Sequence, residues 1–98
     1  MFYNLLKLLQ RQDSYNQEDN MAQYQRRVIQ EELPALRSKA EGYYLEHYAD
    51  TRALDTIFSE TQDKIYKSKS IAGIDGAMNR ARRQIIKNYT GQMGGKLL

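Results

Sequence analysis

Residues 29–47, IQEELPALRSKAEGYYLEH, decide the fold of this chain. Ile29, Leu33, Leu36, Ala40, Tyr43 and His47 recur at spacings of 4, 3, 4, 3 and 4. That rhythm places them on one face of a helix, close to the heptad seam of packed helices. Pro34 falls inside the seam. A proline within a helix removes one hydrogen bond and crowds the preceding turn, at a cost of about 3 kcal/mol. Two paths accommodate it: a long helix kinked at Pro34, or a break near Leu33 with Pro34 opening a new helix at its first position. Continuity of the seam on both sides favours the kink.

Toward the N-terminus, Met21, Tyr24 and Val28 continue an apolar face. Ser14 and Gln17 have the spacing of a capping box, and Glu18 and Asp19 suit the positive end of a helix dipole. One long helix is therefore predicted over 14–49. Before it, Phe2, Leu5, Leu6 and Leu9 fall at i, i+3, i+4 and i+7, with Leu8 widening the stripe, which predicts a short amphipathic helix over 1–12.

Toward the C-terminus, Asp50 and Thr51 are cap candidates, and Leu54, Ile57, Phe58, Thr61 and Ile65 stripe a helix over 51–69. In SIAGIDGA, residues 70–77, Gly73 and Gly76 bracket Ile74 and Asp75 and read as a turn, with Asp75 capping the next helix. That last helix, over 75–90, is striped by Met78, Ala81, Ile85 and Tyr89, with Ile86 beside them. Gly91 reads as its stop, and 91–98 as a flexible tail. No stretch alternates with period two. The expected class is all-α, a single domain over 1–98 with three to four helices and one long helix kinked at Pro34. Its expected form is an elongated helical hairpin or open bundle completed by oligomerisation.

The oligomerisation follows from a thin aliphatic complement. Leu, Ile, Phe and Val make 20 of 98 residues, near the level at which chains struggle to fold unaided. Eight Tyr and four Met supplement them, and Tyr suits half-wet interfaces. Phe2, Leu5, Leu6, Leu9, Tyr24, Leu36 and Tyr43 are accordingly the expected interface. With no Cys, there is no disulfide framework and no thiolate metal site. No apolar run approaches the ~20 residues of a bilayer span. The first twelve residues lack a leading basic region and a cleavage site, and Lys7 interrupts their apolar stretch, so they do not read as a secretion signal. Only Lys7 and Arg11 are available to anchor an interfacial helix, so stable membrane insertion is not expected. The expected location is cytoplasmic or within a macromolecular assembly such as a virion.

Chemistry is sparsely signalled. His47 is the single histidine, and a helix would put Asp50 on its face, but two groups do not make a metal or acid–base site. The glycines at 73 and 76 lack the preceding strand and the Gly-Lys-Ser/Thr ending of a phosphate loop. No catalytic residue, cofactor, metal or small-molecule substrate is indicated. Charge is the exception. Residues 1–63 hold seven Lys/Arg against eleven Asp/Glu, a net −4; residues 64–98 hold eight against one, Asp75, a net +7. Arg80, Arg83 and Lys87 lie at i, i+3 and i+7 on one helix face, with Arg82 beside it and Lys64, Lys67 and Lys69 extending the field. Guanidinium groups in a row match phosphate or carboxylate geometry. The leading expectation is a non-enzymatic helical interaction protein, a subunit of a larger homo- or hetero-assembly, whose basic C-terminal helix contacts an anionic partner. The alternative is a small DNA- or RNA-binding protein using the Arg80–Arg83–Lys87 face.

Overall fold

The computed structural model describes Leu5 and residues 20–94. Over these residues the chain is helical, with three helices and no strand. α1 spans residues 21–46 in three parts: Met21–Arg27, a π-helical turn at Val28–Glu32, and Leu33–Glu46. α2 is Arg52–Lys67 and α3 is Ile71–Gln92. The expected helix over 1–12 and the Ser14–Gln17 capping box lie outside the described residues. The observed cap of α1 is Asn20, whose side chain accepts the Gln23 N–H at 3.1 Å.

Pro34 sits in the first turn of the segment after the π turn. There the Leu33 N–H bonds back five residues, to the Val28 carbonyl. A residue without an N–H fits where the register changes from i−5 to i−4, because the regular ladder is already interrupted. The helix thus runs through the proline with no loop. It ends at His47 with the Ala49 N–H on the Tyr44 carbonyl (2.8 Å) and the Tyr48 N–H on the Leu45 carbonyl (3.2 Å). This is a Schellman arrangement, whose left-handed position glycine usually fills. Here it is Tyr48, at φ 59°.

Two expected boundaries are corrected. α3 starts at Ile71, so Gly73 and Gly76 are helical and not a turn. The reason is Ser70, extended at φ −153° and ψ 160°, whose hydroxyl accepts the Gly73 N–H at 3.0 Å. An N-cap serine with a satisfied donor outweighs the poor helix propensity of two glycines. Asp75 lies inside α3 and not at its start; the Tyr24 hydroxyl donates to it across the helix packing. At the other end the helix passes Gly91, and the left-handed glycine after it is Gly94, φ 77°. The rest of the expected tail, 95–98, lies outside the described residues.

Three stripes meet in one core. From α1 it takes Tyr24, Val28, Leu33, Leu36, Ala40, Tyr43 and Tyr44. α2 gives Leu54, Ile57, Phe58, Thr61 and Ile65, and α3 gives Ile74, Ala77, Met78, Ala81, Ile85 and Tyr89. Leu5 joins them, fully buried. α2 and α3 form the most extensive pair, joined by a three-residue link at 68–70 that turns them antiparallel. α1 packs against both. Two side-chain ties hold it, one near its start and one in the link that follows it. The Gln25 amide donates to the Ile65 carbonyl at 2.9 Å, while Gln92 accepts the Asp50 N–H (2.6 Å) and donates to the Asp50 carbonyl (2.8 Å).

Candidate anion-binding cleft

Because α3 buries the stripe Ile74–Met78–Ala81–Ile85–Tyr89, its opposite face is left to solvent. Residues 73, 76, 80, 83 and 87 occupy that face, all exposed. The short link brings the last turns of α2 alongside the first half of α3. Between them lies a shallow, open cleft of about 440 Å³ lined by Lys64, Lys67 and Ser68 at the end of α2 and by Gly73, Gly76, Ala77, Arg80 and Arg83 from α3. Four cations from two helices therefore converge on one concavity.

Three acids stand near these cations: Glu60, exposed one turn before Lys64 on α2, Asp63 and Asp75. Asp63 pairs with Lys67 at 3.0 Å, both largely in water, so this contact is worth about 0.5 kcal/mol and does not immobilise the lysine. Asp75 is the one acid of residues 64–98, and it is engaged by Tyr24 of α1, whereas the wall of the cleft facing α3 is α2. Ser68 donates its hydroxyl to the Lys64 carbonyl at 2.8 Å, closing the last turn of α2.

Of the six cations expected to meet an anionic partner, Lys64, Lys67, Arg80 and Arg83 are brought together. Lys87 is exposed one turn beyond Arg83 on the same face, outside the cleft. Arg82 is half-buried beside the row and donates to the Asn79 side chain at 3.0 Å. Gly73 and Gly76 were not expected at this site. Their spacing did carry a signal: 73, 76, 80, 83 and 87 continue one 3, 4, 3, 4 stripe.

The residues expected to meet neighbouring copies stand elsewhere. Tyr24, Leu36, Tyr43 and Leu5 lie inside the chain's own core, and Phe2, Leu6 and Leu9 lie outside the described residues. Tyrosine closes this core because its hydroxyls find acceptors within it: Tyr44 donates to the Ile85 carbonyl at 2.6 Å and Tyr24 to Asp75. The large exposed apolar side chains among the described residues are Leu45 (66%), Tyr48 (95%) and Tyr66 (59%).

His47 belongs to the packing. Its ring stacks on Tyr43 with centroids 4.1 Å apart, and its Nδ1 lies 2.9 Å from the Tyr43 carbonyl. The helix ends at this residue, so Asp50 does not share its face. Asp50 instead accepts from the Arg52 N–H (2.9 Å) and guanidinium (2.5 Å), and Arg52 holds its carboxyl down at about 2. Among the described residues no group of three or more His, Cys, Asp or Glu is placed to hold a metal ion. No described helix is long and apolar enough to cross a membrane. No protein-family model, curated protein or solved structure matches the chain.

Proposed function

We propose that this chain is a non-enzymatic helical binding protein whose basic cleft holds the phosphodiester backbone of a nucleic acid. The observation that carries this is the convergence of Lys64, Lys67, Arg80 and Arg83 on one cleft while Asp75 is engaged from α1. Cations from two helices border this shallow cleft, so a backbone laid across it meets charge from both. Contacts to the backbone give affinity without reading sequence.

Binding by counterion release makes affinity fall with salt. With four phosphates neutralised, log K falls against log salt with a slope of about −3.6 on duplex and about −2.8 on single strands. Between 50 and 200 mM salt that is roughly a 100-fold loss. Fluorescence anisotropy with labelled oligonucleotides is the test, comparing the protein with its K64Q/K67Q/R80Q/R83Q variant. The variant is expected to lose retention at low salt while melting as the parent does, since all four side chains are exposed. Equal binding by both proteins would remove the reading, as would preference for polyglutamate over the oligonucleotides.

A second reading, a subunit of a larger assembly, is favoured by Tyr48. A bulky residue in the left-handed region is uncommon and strained by about 1–2 kcal/mol, yet this one stands 95% exposed with Leu45 three residues before it. A contact made by Tyr48 in a partner would account for a tyrosine where glycine is lower in energy. Tyr48→Gly is then expected to raise the melting temperature and to abolish association seen by sedimentation. A parent that stays monomeric at high concentration, alone and with co-purifying proteins, would sink this second reading.

A further inference from the structure

We infer that Gly76 is a ligand-positioning residue: its missing side chain leaves the helix backbone open between the cations, so that a phosphate of the bound nucleic acid seats against it. This rests on the nucleic-acid reading of the cleft given above.

First, Gly76 lies in the interior of a 22-residue helix. Glycine there is less favourable than alanine by about 1 kcal/mol, because it surrenders more backbone freedom on folding and adds no packing. Second, the chain's own packing does not ask for glycine at this position. A Cβ at 76 would meet nothing within 4 Å, and the residue has no positive φ. Gly73 differs: a Cβ there would stand 3.3 Å from the Ser70 hydroxyl and 3.4 Å from Ser68, so the serines of the link and cap account for it. Third, the space beside Gly76 is the cleft itself. Residues four and seven further on share its face, and those are Arg80 and Arg83, with Lys64 and Lys67 across the gap. Arg80 stands one turn after Gly76 on the same helix face, and both line the cleft. A side chain at 76 would fill the place where a phosphate meets Arg80.

Gly42 and Gly91 supply the comparison. Each is helical and exposed, and each would accept a Cβ with nothing within 4 Å, but neither lines the cleft. All three positions tolerate a side chain as far as folding is concerned. Only one of them is at the site.

The experiment takes the full chain and five variants: Gly76→Ala, Gly76→Gln, Gly42→Gln, Gly91→Gln and the four-cation variant. Glutamine is uncharged, a good helix former, and long enough to occupy the cleft. Melting is followed by circular dichroism, and binding of labelled single-stranded and duplex oligonucleotides by anisotropy at low salt. Every glycine variant is expected to melt at or above the parent. Gly76→Gln is expected to weaken binding by about tenfold, a loss of about 1.4 kcal/mol, with Gly76→Ala between it and the parent. Gly42→Gln and Gly91→Gln are expected to stay within about twofold of the parent, being distant from the site. Stability and binding then move in opposite directions at residue 76 alone. Undiminished binding by Gly76→Gln overturns the inference and leaves the cleft reading standing. Equal weakening by all three glutamine variants also overturns it, because the effect is then not local. A parent that binds neither oligonucleotide removes the cleft reading and the inference with it.

Discussion

Tyr44→Ala is expected to lower the stability of the chain by about 3–5 kcal/mol, the range for removing a large buried aromatic side chain. Tyr44 is fully buried and is among the largest side chains so placed. It comes from α1 and reaches α3, where its hydroxyl donates to the Ile85 carbonyl at 2.6 Å and lies 3.1 Å from the Asn88 side-chain oxygen. Its ring meets Tyr89 with centroids 5.7 Å apart. Small domains have about 5–15 kcal/mol in all, so the substitution removes a large share of the total. Tyr44→Phe separates the two contributions. It keeps the ring and deletes one hydrogen bond to a carbonyl inside a helix, which costs about 1–2 kcal/mol. Urea midpoints at constant m-value measure both. Equal losses in the two variants would mean that the hydroxyl, not the ring, joins α1 to α3. An unchanged midpoint in Tyr44→Phe would mean that the hydrogen bond contributes nothing net.

The apolar periodicity of the helices is legible in the sequence, whereas the burial of a single tyrosine is not. The stripes Leu54–Ile57–Phe58–Thr61–Ile65 and Met78–Ala81–Ile85–Tyr89 are buried as the periodicity requires, because each helix presents one apolar face and has one core to give it to. The seam from Leu33 to Tyr43 is buried too, but inside the chain. The aliphatic residues alone understate this core, which tyrosines complete. Tyr44 stood outside the seam and escaped the pattern, although a tyrosine whose hydroxyl has an internal acceptor packs as fully as leucine. Which tyrosines have one is a fact of tertiary geometry, and no local spacing contains it. The same limit applies at Gly73 and Gly76. Two glycines within four residues read as a turn, and the serine cap at Ser70 overrode them. Propensity is a weak prior against a satisfied cap followed by Ile74, Ala77 and Met78 at core spacing. The charge asymmetry was legible as arithmetic. Its convergence was not, since Lys64 and Lys67 meet Arg80 and Arg83 only after the 68–70 link folds α2 back on α3.

The core's reliance on tyrosine makes the fold sensitive to alkali. Burial pushes the Tyr43 hydroxyl up to about 12, with the neighbouring Tyr89 adding to it, and burial raises Tyr44 in the same direction. An unfolded chain releases these protons near pH 10. The folded chain holds them longer, so each step in pH above 10 favours the unfolded state. The stability tied to the neutral hydroxyls is thus complete below pH 10 and, for Tyr43, is lost as pH rises toward 12. Both raised hydroxyls act in the same direction, so their effects on stability add in sign. The urea midpoint of the parent is therefore expected to hold steady up to about pH 9.5 and to fall steeply over the next two pH units. Lysines also discharge in this window, and a Tyr43→Phe/Tyr44→Phe variant removes that ambiguity. It starts less stable at neutral pH, having lost the Tyr44 hydrogen bond and the Tyr43 hydroxyl's interaction with Tyr89, but it carries no phenol at either position to ionise on unfolding. Its midpoint is expected to decline with a clearly shallower slope. Parallel declines in the two proteins would show that these hydroxyls ionise as readily in the fold as out of it, and that the seam around Tyr89 is wetter than its packing implies.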